Sequence, residues 1–353
     1  MNEEKPVRGR GAQYNPVNPF DSLSLSHEDW DGIDVPPDAP GKTKYYRDQA
    51  KTVINKVDSP DIGHSYSMNP YQGCEHGCIY CYARNTHNYY GFSAGVDFEQ
   101  KIIVKENAHK VLEKQLEHPK WEVRPIMLAG NTDCYQPIER KLKITRKLLE
   151  VLVKYRHPVS VLTKNSLILR DIDLLKNLAQ DQLVHAGVTI TTLDESLRRK
   201  LEPRTASAHK RLEVLEQLSA AGIPTTVMIS PVIPGLTDHE IPSILEAAAK
   251  RGVYSAGYIV LRLNGAIGPL FEDWIGKHFP DRAEKVLGQV RQMHGGTLND
   301  NRFGRRMRGE GPIADAIRQL FKINKKRLMG EKHLPPYNLD AFLRTDKGQM
   351  RLF

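Results

Sequence analysis

The sequence predicts an α/β protein centred on six β/α units, with an extended arm before them and a helical, basic extension after them. Three observations carry that prediction. From Ser65 onward, short apolar runs alternate with amphipathic helical patterns, the order that yields a parallel sheet with crossover helices. The polar stretches "GNTD", "TKN", "TITTLDE" and "SPVIPGLTD" fall where those runs end, and parallel α/β folds keep their sites at the C-terminal ends of strands. A chain of 353 residues, 40% hydrophobic and 26% charged, is also long enough and apolar enough to bury a sizeable core. Six units are too few for a closed eight-stranded barrel. They suit a three-quarter barrel or an open doubly wound sheet.

Taken in order, residues 1–60 are rich in Pro, Gly, Asp and Ser with little periodicity, so an extended, poorly ordered arm is expected there. The barrel is expected over 61–265. Its first strand lies just before Cys74, and the others are "RPIMLAGN", "PVSVLTKN", "LVHAGVTIT", "IPTTVMISPVI" and "GYIVLRL". Between them, "ENAHKVLEKQLE", "IERKLKITRKLLEVLVKY", "RDIDLLKNLAQ", "SAHKRLEVLEQLSAAG" and "HEIPSILEAAAKRG" read as helices. Residues 266–345 form the helical extension, and 346–353 a mobile tail.

The formal charge of +9 favours anionic partners such as nucleic acid or phosphates, although a solvated basic surface would read the same way. No apolar run approaches a membrane span, and the opening "MNEEKPVRGRGAQYNPVNP" has no apolar signal core. A cytoplasmic location follows as the expectation, with thiols kept reduced.

Under those conditions clustered cysteines point to metal or redox chemistry. "NPYQGCEHGCIYCYAR" sets Cys74, Cys78 and Cys81 in a C-x3-C-x2-C run on one tight loop, with Gly73 and Gly77 allowing the backbone to wrap. Soft thiolates select zinc or iron–sulfur, and no second C-x2-C pair of a zinc ribbon is present. His76 could complete a zinc site only by straining the loop, and Cys134 is the one other cysteine.

Three cysteines in this pattern, at the end of the first strand of a six-unit β/α chain, resemble the radical S-adenosylmethionine (SAM) superfamily. The resemblance runs from about Asn55 to Arg262. Through "GCEHGCIYCYAR", "GNTDCYQPIE" and "LEPRTASAHKRLEVLEQLSAAGIPTTVMISPVIPGLTD" it is nearest the group related to spore photoproduct lyase. It implies a partial (β/α)6 TIM-like barrel in which Cys74, Cys78 and Cys81 bind three irons of a [4Fe–4S] cluster and SAM chelates the fourth. Reduction would then give a 5′-deoxyadenosyl radical that abstracts hydrogen from substrate. An electron donor such as flavodoxin or ferredoxin is implied too.

On the same resemblance, Tyr80 packs near the adenine. Gly130, Asn131, Thr132 and Asp133 replace the usual Gly-Gly-Glu-like motif for the SAM amino group, and their side-chain oxygens can still accept. Ordinary turn and cap chemistry explains the same residues equally well. Thr189 and Thr191 share one strand face and could bond ribose or carboxylate. Glu202 and Arg204 are expected beside the cofactor, and Val232 and Ile233 against adenine. Cys134, with Tyr135 as a relay, is a candidate hydrogen donor by analogy with spore photoproduct lyase, although it follows rather than precedes the polar stretch; a buried apolar cysteine is the plain alternative.

Arg302, Arg305, Arg306 and Arg308, set among glycines, suit phosphate contacts, extended by Lys322, Lys325, Lys326 and Arg327. The closing "QMRLF" resembles peptides that dock on the bacterial sliding clamp through residues corresponding to Gln349, Leu352 and Phe353. Three functions stand in order: a radical SAM enzyme acting on a DNA lesion, one acting on RNA, a peptide or a small molecule, and a non-catalytic cysteine–metal module that binds nucleic acid.

Overall fold

The computed structural model describes residues 9–20, 42–63 and 65–344. Ten strands are present among them: β1 (Lys44–Asp48), β2 (Ile54–Lys56), β3 (Tyr66–Met68), β4 (Tyr71–Gln72), β5 (Lys101–Lys105), β6 (Ile126–Leu128), β7 (Val159–Thr163), β8 (Val184–Thr189), β9 (Thr225–Val232) and β10 (Ser255–Val260). The main sheet runs β10-β9-β8-β7-β6-β3-β2. Its six strands from β3 to β10 are parallel, and β2 closes one edge antiparallel to β3. The six expected units are therefore the observed ones, with an open seam between β10 and β2.

The helices form where the 3.6-residue pattern places them. Ile144–Lys154 buries Ile144, Leu148, Leu149, Val151 and Leu152 against the sheet while its charged residues face outward. Each fully buried leucine of this kind contributes about 1.5–3 kcal/mol. The run "IERKLKITRKLLEVLVKY" is two helices rather than one, because Lys143 takes a left-handed φ of 53° between Glu139–Leu142 and Ile144–Lys154. Buried Glu139 compensates for the break by accepting from the Thr145 amide at 3.1 Å.

Two features were not expected. The arm carries strands: β1 pairs parallel with β5, and β4 pairs antiparallel with it, making a small second sheet next to the cysteine loop. Helices Ile267–His278 and Pro280–Met293 also pack back onto that loop; Phe271, Trp274 and Ile275 share an apolar cluster with Cys78, Ile79 and Tyr80. No helix among the described residues is long and apolar enough to cross a membrane.

Candidate cysteine-loop site

The loop between β4 and the 3₁₀ helix Tyr82–Tyr90 sits at the C-terminal end of β3. Gly73 and Gly77 have φ of 77° and 68°, so the chain reverses twice in five residues. Cys74 and Cys78 are buried, and Cys81 is half-buried. Burial, then Asp133 and the neighbouring thiols, push the Cys74 thiol well up; burial pushes Cys78 up to about 12 although Lys164 opposes the shift. Such a donor set is poorly suited to holding bare thiolates and well suited to a cationic centre that would compensate them.

Everything around the loop is tied down by buried charge. Arg84 spans it, donating from Nε at 3.0 Å and from a terminal nitrogen at 2.9 Å to the Cys78 carbonyl, and at 2.5 Å to Glu99. Glu99 also accepts the amides of Gly11 and Ala12 at 3.0 and 2.8 Å, which straps the N-terminal segment over the loop. Arg10 donates to the Glu99 carbonyl at 2.6 Å. Glu75 accepts from Thr43, Tyr45 and the Ile138 amide at 3.1, 3.2 and 3.1 Å, with Arg204 at 3.3 Å.

Asp133 is bonded throughout to the protein's own donors. Its two oxygens accept from Thr163 at 2.8 and 3.0 Å and from the amides of Lys164 and Tyr135 at 2.8 Å, with His76 at 3.3 Å. Burial pushes this carboxyl up, but His76 and the two amides outweigh it and hold it at about 2. The other nitrogen of His76 lies 3.2 Å from the Asn165 amide, so the ring is spent between two strand ends. Thr132 donates to the Tyr71 carbonyl at 2.5 Å and Gly130 accepts from the Tyr82 hydroxyl, leaving Asn131, half-exposed, to offer its side-chain oxygen.

The expected adenine-side residues form a second buried knot. Tyr80 donates to Glu202, Thr191 lies 2.7 Å from the same oxygen, and Arg211 binds the other one. Burial raises the Glu202 carboxyl, yet Arg211 and Lys164 hold it at about 2. Glu202 is thus fully committed inside the protein, bonded to Tyr80, the residue expected near adenine. Arg204 is turned to Glu75 in the same way. The Thr189 hydroxyl has no hydrogen bond among the described residues. Val232 and Ile233 are wholly buried, and Ile233 already donates its amide to Thr237 at 2.9 Å, so they can supply only an apolar wall.

Cys134 and Tyr135 pack elsewhere. Both are 0% exposed and belong to the large core beneath the helices, not to the cluster containing Cys78 and Tyr80. The turn that aims Asp133 at the loop swings the next residue away, and the Cys134 carbonyl is fixed by Thr145 at 2.6 Å. The arginine loop is also less free than its composition suggests. Arg302 and Arg305 pair with Asp300, Arg305 pairs also with Glu310, and Arg306 pairs with Asp61. Gln349, Leu352 and Phe353 lie outside the described residues.

Sequence reasoning missed Lys164, whose ammonium lies 6.0 Å over the Tyr80 ring and is raised by Cys78, Glu202 and Cys81 against the cost of burial. The "TKN" signal at a strand end was the available clue.

A family model described as the radical SAM superfamily matches residues 68–248, the stretch running from the end of β3 through the fifth crossover helix. The chain belongs to the radical SAM superfamily. Among superfamily relatives, the uncharacterized protein Rv2578c of Mycobacterium tuberculosis is 33% identical over 65% of this chain and 69% of its own length. The uncharacterized protein MJ0683 of Methanocaldococcus jannaschii is 35% identical over 56% and 71%. A phage M6 protein named radical SAM Nalpha-GlyT isomerase is 25% identical over 66% of this chain and 49% of that protein. Spore photoproduct lyase in complex with dinucleoside spore photoproduct superposes with a TM-score of 0.59 at 15% identity, over 81% of this chain and 80% of the lyase. That likeness is one of fold. Superfamily membership makes this an enzyme and implies a [4Fe–4S] cluster and SAM.

Proposed function

We propose that Cys74, Cys78 and Cys81 are the complete protein ligand set of a [4Fe–4S] cluster, with one iron left for SAM. The observation that carries this reading is the commitment of every other nearby donor: His76 is held by Asp133 and Asn165, and Cys134 is sealed in a separate core. Among the described residues no three His, Cys, Asp or Glu side chains converge on a single ion. Three thiolates without a free fourth protein donor suit a cluster in which each thiolate takes its own iron better than a four-coordinate zinc. When bound, the pair supplies reductive cleavage of SAM to a 5′-deoxyadenosyl radical.

The chain's own residues then have assignable tasks. Lys164 offers a cation for the SAM carboxylate, and Asn131 and Thr189 offer polar atoms to its amino and ribose groups. Tyr80, Val232 and Ile233 form apolar walls. Asp133, Glu202 and Arg204 act as positioning residues that hold these groups. A small reduced flavoprotein or ferredoxin is the proposed electron donor.

The substrate class we favour is nucleic acid, for two reasons. The chain carries +9, and its fold is that of an enzyme solved with a dinucleoside lesion. Docking of "QMRLF" on a sliding clamp would bring the enzyme to DNA. Anaerobic reconstitution tests the reading: iron and sulfide uptake with release of 5′-deoxyadenosine from SAM supports it, and stimulation by irradiated DNA supports the substrate. Bound zinc without SAM cleavage refutes both.

A further inference from the structure

We propose that a basic cavity between β10 and helix Pro312–Met329 binds a phosphate group, carried by a small phosphorylated molecule or by a nucleic-acid strand. The cavity has a volume of ≈ 520 Å³, within the range of about 300–1,000 Å³ usual for small-molecule sites. Tyr258, Arg308, Phe321, Lys322, Lys325 and Lys326 border it, with Glu331 as an acidic neighbour. It lies on the sheet face covered by that helix and needs no radical chemistry to operate.

Three observations support a ligand there. First, the arginine loop is sorted by charge. Arg302, Arg305 and Arg306 each have a carboxylate partner, whereas Arg308 has none among the described residues and instead stacks 4.5 Å over the Tyr258 ring. The loop is pinned in that pose by the Val260 amide, which donates to the Met307 carbonyl at 3.1 Å. Second, Lys325 faces Arg308 with only a backbone partner, the Ala256 carbonyl at 3.0 Å. Burial, and then Arg308, lower its pKa, as expected for like charges held together without an anion.

Third, the Tyr258 hydroxyl is buried and has no hydrogen-bond partner among the described residues, although the side chain is 3% exposed. An unpaired buried hydroxyl is costly to a fold unless something supplies its partner. The hydroxyl is closed off in this pose, so a side-chain shift at the cavity wall would let a phosphate oxygen reach it; phosphate would also neutralise Arg308 and Lys325, and the Tyr258 and Phe321 rings, 4.6 Å apart, give the rest of the molecule an apolar floor.

The test uses the reconstituted holoenzyme saturated with SAM, so that the cofactor position is filled. Uridine 5′-monophosphate, uridine and a single-stranded oligodeoxynucleotide are titrated in turn at low and high salt. The expected result is binding of the monophosphate or the strand, weakened by salt, with uridine at least tenfold weaker. Tight binding of the monophosphate identifies a small ligand; binding of the strand alone assigns the phosphate to nucleic acid. Arg308→Gln and Lys325→Gln should each cost at least tenfold. Tyr258→Phe, which removes one oxygen and preserves the core packing, should cost several-fold. Equal binding of uridine and its monophosphate, no binding of either anion, or wild-type affinity in all three variants overturns the proposal.

Discussion

Gly11 sits where the N-terminal strap crosses the cysteine loop, and it is the most informative position for testing how that loop is protected. A Cβ at Gly11 would overlap the Gly77 carbonyl oxygen, well inside the 3.0 Å that real Cβ atoms keep from backbone. Gly77 belongs to the cysteine loop, whose next residue, Cys78, is held through its carbonyl by Arg84. The strap must therefore retreat by about 1 Å in a Gly11→Ala variant, and this lengthens both amide bonds to Glu99 beyond useful range. Bonds to a charged acceptor contribute about 1.5–3 kcal/mol each, so docking weakens by about 3–6 kcal/mol. Glu99 keeps Arg84, so the core should not unravel.

What is lost is cover. Ala12 packs in the same apolar cluster as Cys78, Ile79 and Tyr80. The assay is anaerobic reconstitution followed by exposure to air, reading bleaching of the visible cluster absorbance alongside iron per chain. Bleaching should accelerate by roughly tenfold or more, since about 1.4 kcal/mol is already a factor of ten in the undocked population. Trypsin should also cut at Arg10 sooner. Wild-type bleaching and wild-type cleavage at Arg10 would refute the strap as a shield.

Further predictions address Cys134, Lys164 and Glu202. Cys134→Ala should leave cluster loading and 5′-deoxyadenosine formation intact and cost about 1–3 kcal/mol in denaturant unfolding; lost hydrogen transfer to substrate would return Cys134 to the site. Lys164→Met should keep the cluster but weaken SAM binding by about tenfold or more, as removal of a charged hydrogen bond does, and unchanged affinity would remove it from the proposed carboxylate site. Glu202, held at about 2, contributes about 3 kcal/mol that is fully present above the ordinary glutamate range. That stability is lost as pH falls from about 4.5 toward 2, so the apoprotein's acid-unfolding limb should flatten in Glu202→Gln. An unaltered slope would show that the carboxylate is not depressed.

Much of the fold was legible because burial imposes periodicity. β6 to β10 are short apolar runs with period-2 or continuous burial, and the crossover helices bury one stripe each, so sequence alone located them. β1 was not legible: its residues Lys44–Arg47 are exposed, so no apolar face marks it, and it exists because β5 offers an edge. β5 itself, "KIIVK", is an apolar run of three that the periodicity assigned to no element. The cysteine loop was visible because thiol chemistry needs those residues at that spacing. Its supports were not, since Glu99, Arg84 and Arg10 are separated by up to 89 positions and meet only in the fold.

The buried carboxylates around the loop share one role, and it bears on the proposed three-cysteine ligand set. Polar residues at strand ends suit a cofactor site, yet a loop carrying two buried thiols and a half-buried one must first be held rigid. Asp133, Glu202 and Glu75 are consumed in doing so, each bound to a cation or to several donors within the protein. By clamping His76, Asp133 also engages a side chain of the loop that could otherwise serve as a ligand. A variant that frees His76, Asp133→Asn, should therefore load less cluster rather than more, because the loop loses its anchor before the imidazole gains reach. Increased zinc uptake with His76 as a ligand, detected by metal analysis and abolished by a second His76→Ala change, would reverse that argument.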